Sequence, residues 1–366
     1  MQTKKGKGAA FLRRHAQLLI PLIPLVILIV FNLILNPAFL EIRINEAGSL
    51  SGYPISIFNN ATELVIIVLG MTLVTAVSGG QDISVGALAA IGGAAFYRVL
   101  KMGNMESAGT VLLAVLAALG ITMLFGAFNG TLVSVFRIQP MIATLILFSC
   151  GRSIAYWIAV DPNATFESKL VSNLAVNLPG IPIPTPILIC AVVGLLFFLM
   201  MKFTNLGLYA QAVGINQSAS NLNGINATRM KLLAFVILGA CCAVAGFIRT
   251  SRLQLISYEK QLLDIEMDAI LAVAIGGNSL GGGKFSLVSS VLGAYTFQTL
   301  TTTLDVLKIK STDIRAYKAM VIILLVVLAS APVKKLISRL WARLRSREAR
   351  GAAPGAGAGT PEKGVQ

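Results

Sequence analysis

Stretches of apolar residues, each bounded by a few polar ones, recur along this chain, and their spacing predicts ten membrane-spanning helices. The hydrocarbon core of a bilayer is about 30 Å thick, so a spanning helix needs about 20 mostly apolar residues. Most of the stretches approach that length, but the second and the eighth are distinctly short. The ten stretches are residues 18–35, 64–77, 83–100, 110–136, 141–160, 187–203, 232–248, 269–275, 285–304 and 316–331.

One polar interruption is long and unusual in composition. Residues 204–229, TNLGLYAQAVGINQSASNLNGINATR, separate two strongly apolar stretches and carry no charge before their last residue. Asn216 is placed to cap a short helix, and Gly224 follows where such a helix ends. A helix this short is not stable alone in water and needs a surface to pack against. The alternative is a solvated loop between two spans. The apolar residues that share one side of this helix are Ile215, Ala219 and Leu222.

Two short apolar segments end at similar glycine clusters, GGQDISVG (79–86) and GGNSLGGG (276–283). Broken backbone at membrane depth must line a cavity or be buried in protein, so such breaks indicate the pathway of a transporter. The alternative is ordinary close packing of helices through glycine. The candidate pathway residues, with one asparagine from the fourth stretch, are Gly79, Gly80, Asp82, Asn129, Gly276, Gly277 and Asn278.

Several charged residues lie within the predicted spans or at their ends. Charge inside a membrane is costly and is often functional. Ion pairing or snorkelling to the interface accounts for several of them without a role in transport. The residues concerned are Glu63, Asp82, Arg98, Arg152, Arg249 and Asp268.

Composition narrows the class to an all-α polytopic membrane protein. Of 366 residues, 56% are hydrophobic and 12% are charged, and soluble domains carry about twice that charged share. The four cysteines lie inside apolar stretches without metal-ligand spacing, and the one histidine, His15, lies in a basic leader. Gly283 and Lys284 lack the neighbouring glycine and Ser/Thr of a phosphate-binding loop. We therefore expect no metal, no cofactor and no enzymatic activity. If transport by this chain is powered by ATP, another chain must hydrolyse the ATP.

The distribution of basic residues orients the spans. With ten spans, both termini and residues 204–229 fall on one side, together with 18 of the 30 basic residues and three of the 15 acidic ones. The whole excess of 15 positive charges lies on that side. By the positive-inside rule it is the cytosolic side, and residues 161–186 are then outside. The excess charge thus indicates membrane orientation and not nucleic-acid binding.

The same pattern divides the chain into segments. Residues 1–16 form a basic cytosolic leader, and the stretch after it is too long, and lacks the small-residue cleavage site, for a signal peptide. Residues 17–332 form a single transmembrane domain that contains the insert at 204–229. Residues 333–350 are predicted to form a basic cytosolic helix, and residues 351–366, GAAPGAGAGTPEKGVQ, a disordered tail.

Four segments stand out in order along the chain: GMTLVTAVSGGQDISVGALAAIGG (70–93), IQPMIATLILFSCGRSIA (138–155), AVGINQSASNLNGIN (212–226) and MDAILAVAIGGNSLGGGKFSLVSSVLGA (267–294). Together they resemble the signature blocks of bacterial ABC sugar-import permeases of the ribose/galactofuranose branch. The resemblance covers nearly the whole chain from the first span to the tenth. It implies a ten-helix permease with broken helices at the glycine clusters, which carries a monosaccharide across the bacterial inner membrane.

The resemblance also implies partners: two cytosolic ATPase subunits, a second permease subunit, identical or different, and an extracytoplasmic sugar-binding protein. Residues 212–226 correspond to the cytosolic segment that docks on the ATPase. Two other classes stay open: an ion-coupled secondary transporter, which would need an acidic partner for Asp82, and a membrane enzyme, which would need a catalytic constellation. The implied ATPase-coupling residues are Gly214, Ile215, Asn216, Ala219, Leu222, Gly224 and Ile225.

Overall fold

A computed structural model of the chain describes residues 4–45, 48–161, 164–178, 180–310, 313–314 and 316–320, with side chains from residue 18 onward except residue 19. The described residues up to 314 form an α-helical body. Its helices are α1 (Lys4–Leu35), α2 (Tyr53–Asn60), α3 (Thr62–Ser78), α4 (Val85–Met102), α5 (Ala108–Ser134), α6 (Pro140–Ala159), α7 (Lys169–Ala175), α8 (Thr185–Phe203), α9 (Leu206–Ile215), α10 (Gln217–Leu222), α11 (Ala227–Leu253), α12 (Ile265–Ile275) and α13 (Leu287–Val306).

Four short strands add two antiparallel pairs. Strand β1 (Arg43–Ile44) pairs with β2 (Leu50–Ser51), with Arg43 opposite Ser51. Strand β3 (Ala164–Thr165) pairs with β4 (Leu255–Ile256), so that the chain before α7 is joined to the chain after α11.

Nine of the ten predicted apolar stretches coincide with helices, namely α1, α3, α4, α5, α6, α8, α11, α12 and α13. Five of these, α4, α5, α6, α8 and α11, are long and apolar enough to cross a membrane, and α2 with α3, bent by 44°, would make a sixth. Helix α12 has 11 residues, and at 1.5 Å per residue it is about 16 Å long, half the thickness of a bilayer core. The tenth stretch lies outside the described residues except for 316–320.

Helices α3 and α4 form the centre of the body. Nearly every side chain of α3 from Thr62 to Val77 is buried, as is most of α4. Helix α11 packs against α3, α4 and α5, and α6 packs against α4. Small residues allow this close approach: a Cβ on Gly126 of α5 would lie 2.5 Å from the Phe235 carbonyl oxygen of α11.

The connections gather at two ends of the body, as the predicted alternation of spans requires. At the insert end, Gly80 packs on Pro140 and the side-chain amide of Gln81 donates to the Leu280 carbonyl at 2.9 Å. At the far end, Leu50 N donates to the Pro182 carbonyl at 2.8 Å, and Ser168 Oγ to the Met105 carbonyl at 3.0 Å. The insert end holds residues 79–84, 135–140, 204–226 and 276–286, and the far end holds the described residues 41–45, 48–60, 103–107, 160–161, 164–178, 180–184 and 254–264.

The structure differs from the pattern in two places. Helix α1 begins at Lys4, so it runs through the leader that the charge pattern set apart. The insert contains two helices instead of one: α9 precedes the capped helix, and its sequence, LGLYAQAVGI, is apolar although it lies in a polar segment. The polar composition of the insert as a whole hid this apolar helix of nearly three turns.

The chain divides into two compact units, Met1–Ile314 and Arg315–Gln366. Five residues of the second unit, 316–320, are described, and they are helical. The extension of the transmembrane domain to residue 332, the basic helix at 333–350 and the tail at 351–366 lie outside the described residues and stay predictions.

Candidate functional site

The insert makes a sharp corner at Asn216. Helix α9 ends there and α10 begins, with Asn216 in an extended conformation and its Oδ1 accepting a hydrogen bond from Ala219 N at 2.9 Å. After α10 the chain turns back, since Ile225 N donates to the Ser220 carbonyl at 3.0 Å. Gly224 has a φ of +81°, a conformation that favours glycine. The predicted cap and the predicted end of the helix are confirmed.

One side of α10 is fastened to the helical body. Ser220 is buried, and the Oδ1 atom of Asn221 accepts a hydrogen bond from Ala227 N at 3.1 Å, at the start of α11. The ammonium group of Lys231 donates to Gln217 Oε1 at 2.8 Å. These contacts give the short helix a fixed orientation.

The other side of α10 faces outward. Leu222 is 90% exposed and Ile215 64% exposed, and Ala219 between them is exposed as well. A singly exposed leucine is ordinary on a protein surface. Ala219 and Leu222 belong to α10, but Ile215 is the last residue of α9 and lies before the corner at Asn216. The prediction that one short helix carries all three is therefore wrong: the three exposed apolar residues come from two helices, because the chain turns at Asn216.

Gly214 does not belong to this outward face. A Cβ at Gly214 would overlap the carbonyl oxygen of Ala76 in α3 and lie 2.6 Å from the backbone nitrogen of Gly283. Among the predicted coupling residues, Gly214 therefore contacts the interior of the same chain.

The backbone breaks are where the glycine clusters predict them. Helix α3 ends at Ser78, and Gly79 caps it in the left-handed conformation with φ +68°. Helix α12 ends at Ile275, Gly276 is its cap, and Gly277 has a φ of +75°. Both helices end at the same end of the body.

Asp82 and Asn129, both predicted to lie on the pathway, come together in the structure. The Asp82 carboxylate is fully buried and accepts hydrogen bonds from Ser84 N at 2.7 Å and Ser84 Oγ at 2.6 Å. Asn129 Nδ2 donates to Ser84 Oγ at 2.9 Å and lies 3.4 Å from Asp82 Oδ2. This cluster fixes the start of α4 against α5, and its contacts are those of packed structure.

At the second break, after α12, Asn278 bonds the start of the following helix as Asp82 does after α3. Asn278 Oδ1 accepts a hydrogen bond from Ser286 N at 2.7 Å, at the start of α13, and its Nδ2 donates to Ser290 Oγ at 2.6 Å. Thr72 of α3 also donates to Ser290 Oγ, at 2.7 Å. Each break thus carries one buried Asx side chain that bonds the next helix, a likeness that the two glycine clusters already suggest.

The residues that join the two breaks are absent from the sequence predictions. Gln81 donates to the Leu280 carbonyl, and Gly283 N donates to the Ala76 carbonyl at 2.9 Å. The sequence does indicate that the two short apolar segments run parallel, which brings the glycine clusters at their ends to one face of the membrane. It does not reveal which residues of the two clusters meet.

Two of the charged residues predicted to lie in or at the ends of spans, Glu63 and Arg152, have structural partners at the far end. Nη1 of Arg152 donates to the carbonyls of Tyr258, Glu259 and Gln261 at 3.0–3.1 Å. Glu63 is buried and lies 3.3 Å from Nη1 of Arg252. Ion pairing and loop anchoring thus account for Glu63 and Arg152.

Comparison with known proteins gives one family and several relatives. Residues 53–330 match the family described as "Branched-chain amino acid transport system / permease component". The chain is 38% identical over 282 residues to the galactofuranose transporter permease protein YtfT of Escherichia coli (strain K12), which covers 77% of this chain and 80% of that protein.

Two further relatives have similar names. The chain is 32% identical to the fructose import permease protein FruF of Bifidobacterium longum, over 92% of this chain and 94% of that protein. It is 32% identical to the ribose import permease protein RbsC of Escherichia coli (strain K12), over 83% of this chain and 91% of that protein. No solved structure matches the chain.

Proposed function

The chain belongs to the branched-chain amino acid transport system permease family, and on that premise we propose that it is the membrane subunit of an ATP-binding-cassette importer for a monosaccharide. It is a permease, a multi-pass membrane protein and not itself an enzyme. The sugar class comes from the relatives, which are named for galactofuranose, fructose and ribose. Family membership favours this function over the ion-coupled secondary transporter.

The observation that carries the proposal is the exposed apolar side of α10. A short helix that presents Ala219 and Leu222 outward, preceded by the exposed Ile215 at the end of α9, fits the helix-in-groove mode of recognition, in which apolar anchors enter a groove on a partner. The helix is capped at Asn216 and fastened to α11, so little ordering cost opposes binding. We assign the groove to a cytosolic ATPase subunit.

The charges at the insert end support a cytosolic location. In the part of the chain that the structure describes, this end carries Arg137 and Lys284, and the adjoining turns of α8 and α11 carry Lys202, Arg229 and Lys231; the one acidic residue at this end, Asp82, is buried. The positive-inside rule then places the insert in the cytosol. The far end faces outward, where an extracytoplasmic binding protein delivers the sugar. A second permease subunit completes the transmembrane unit.

In this arrangement ATP hydrolysis and sugar translocation take place in different subunits. ATP is hydrolysed in the partner, and the permease contributes rigid helices whose ends follow the movement of the docked insert. Each large apolar side chain buried in the groove is worth about 1.5–3 kcal/mol.

Leu222→Asp tests the docking. The change loses the burial of one anchor and forces a carboxylate into an apolar contact, so affinity for the ATPase falls by well over tenfold. Tagged chain is purified from membranes, and two quantities are measured: the ATPase that co-purifies, and cellular uptake of labelled ribose, fructose, allose or galactose. We expect normal membrane levels, loss of the ATPase and loss of uptake.

Asn223→Asp is the control for charge: it places the same charge on the next residue of the turn and removes the hydrogen bond from Asn223 Nδ2 to the Ala219 carbonyl, but it removes no apolar anchor. It keeps the ATPase and transports normally. A Leu222→Asp chain that retains the ATPase and transports sugar at the wild-type rate would refute the assignment of α10 as the docking helix.

A further inference from the structure

The inner side of the insert touches both helix breaks at one point. The carbonyl of Ala76, in the last turn of α3, accepts the hydrogen bond from Gly283 N at 2.9 Å. Gly214, in the last turn of α9, packs on that same carbonyl so closely that a Cβ would overlap its oxygen. Three separate segments of the chain thus meet around one backbone atom.

Further backbone contacts surround this point. A Cβ on Gly282 would lie 3.0 Å from the Cα atom of Gly79, and a Cβ on Gly79 would lie 3.0 Å from the carbonyl oxygen of Gly281. On the insert side, Cγ1 of Ile215 lies 3.1 Å from the position of a Cβ on Gly283. We call Gly79, Gly214, Gly282 and Gly283, with the Ala76 carbonyl between them, the glycine joint.

We propose that the glycine joint transmits displacement of the insert into both helix breaks, with Gly214 as a positioning residue for coupling. The proposal rests on the function proposed above, in which the insert docks on the ATPase. It gives Gly214 a role inside the permease, distinct from contact with the partner.

The contacts are suited to transmission because side chains contribute little to them. Packed protein is nearly incompressible, and backbone in van der Waals contact has no rotamer through which to absorb a shift. A displacement of α9 therefore moves the end of α3 through Ala76 and the 279–283 segment through Gly283. A longer side chain in the joint would add adjustable atoms and widen the gap.

Each break passes the displacement to the helix that follows it. On one side the chain runs from Gly79 to Asp82, whose carboxylate bonds Ser84 at the start of α4. On the other side Asn278 bonds Ser286 at the start of α13. The amide of Gln81, bonded to the Leu280 carbonyl at 2.9 Å, ties the two breaks together. The insert thereby governs the ends of four helices.

Two variants with different chemistry test the joint. Gly214→Ala adds one carbon that must separate α9 from Ala76, whereas Gln81→Leu adds no bulk and removes the bond between the breaks. The control is Gly194→Ala in α8, a glycine with nothing within 4 Å of a Cβ. Each full-length chain is purified with its ATPase subunits and reconstituted in lipid vesicles with the binding protein.

Three quantities are measured: ATPase retained per permease, basal ATP hydrolysis, and its stimulation by the binding protein with ribose, fructose, allose or galactose. A residue that merely supports the fold would change assembly and stimulation together. We expect both joint variants to keep the ATPase and the basal rate, and to lose stimulation, at least tenfold for Gly214→Ala and threefold for Gln81→Leu. Gly194→Ala behaves as the wild type.

These measurements distinguish a defect in the glycine joint from a defect in docking on the ATPase. Leu222→Asp loses the ATPase itself, whereas the joint variants retain it and lose the response. If Gly214→Ala fails to assemble, Gln81→Leu decides alone. Stimulation within twofold of the wild type in Gln81→Leu, or in a Gly214→Ala chain that assembles, overturns the proposal.

Discussion

The two ends of the helical body are held together by different kinds of contact. At the insert end, glycine backbone packs on backbone: Gly214 on Ala76, and Gly276 against Ser289. At the far end, arginine side chains bridge separate elements. Arg152 bonds three carbonyls of the 258–261 segment, and Arg252 bonds the Asn59 carbonyl at 2.9 Å beside Glu63.

Charge distribution explains part of this contrast. In the described residues of the insert end, Asp82 is the only acid, so its lysines and arginines have almost no carboxylate with which to pair. Close packing through glycine needs no charge. Three ion pairs between described residues, Arg43–Glu41, Lys101–Asp161 and Arg252–Glu63, lie at the far end. The end that must stay basic for orientation is thus held by glycine contacts and by hydrogen bonds that need no ion pair, whereas arginine side chains and ion pairs contribute at the other end.

The comparison places the two ends on opposite sides of the membrane, and a test of that orientation has the largest expected effect. Single cysteines at Ser218, in the insert, and at Asn173, in the far end, are both exposed positions. In a background without the four native cysteines, an impermeant thiol reagent applied to intact cells labels Asn173→Cys and leaves Ser218→Cys unlabelled until the cells are opened. Labelling of Ser218→Cys from outside would reverse the assignment of the two ends.

Loss of an arginine at the far end has the next largest expected effect, a fall in thermal stability. Arg252→Met leaves Glu63 buried without its counter-charge, and breaking a buried pair costs about 3–5 kcal/mol. We expect a large fall in the melting temperature of the detergent-solubilised chain. The double variant Arg252→Met with Glu63→Gln recovers much of it, because the buried charge is gone.

Arg43→Met is the matched control for that change. Arg43 pairs with Glu41 at 2.8 Å, but the two side chains are 72% and 48% exposed, and exposed pairs contribute little. Its melting temperature stays at the wild-type value. If Arg252→Met melts like Arg43→Met, the Glu63–Arg252 pair does not stabilise the far end.

Much of this architecture follows from local sequence. Apolar stretches located nine helices because a span must be long and apolar, and Asn216 marked the corner of the insert because an asparagine side chain can replace a missing helical acceptor. The glycine clusters marked both breaks for a similarly local reason, since left-handed backbone favours glycine.

What the sequence could not supply were pairings between distant segments. Gly214 and Ala76 are 138 residues apart, and neither has a polar or charged side chain from which a contact between them could be predicted. Asp82 shows the converse: its charge within a span suggested a pathway, while its surroundings, Ser84 and Asn129, depend on how α4 and α5 pack. The assignment of the candidate sites to coupling and pathway stays a prediction.

Added bulk at the insert end is the smallest of these effects and tests the glycine side of the comparison. A Cβ on Gly276 would lie 2.7 Å from the Ser289 carbonyl oxygen and 2.9 Å from the Cα atom of Ser290. The backbone of Gly276, with φ −60° and ψ −5°, accepts alanine without strain, so Gly276→Ala changes packing alone. The end of α12 must move away from α13, and overpacking of this kind costs about 1–3 kcal/mol. We expect a moderate fall in melting temperature, whereas Gly194→Ala, which meets no atom, leaves it unchanged or slightly raised. Equal melting of Gly276→Ala and Gly194→Ala would mean that backbone contact does not hold the insert end, and that the contrast between the two ends lies in charge alone.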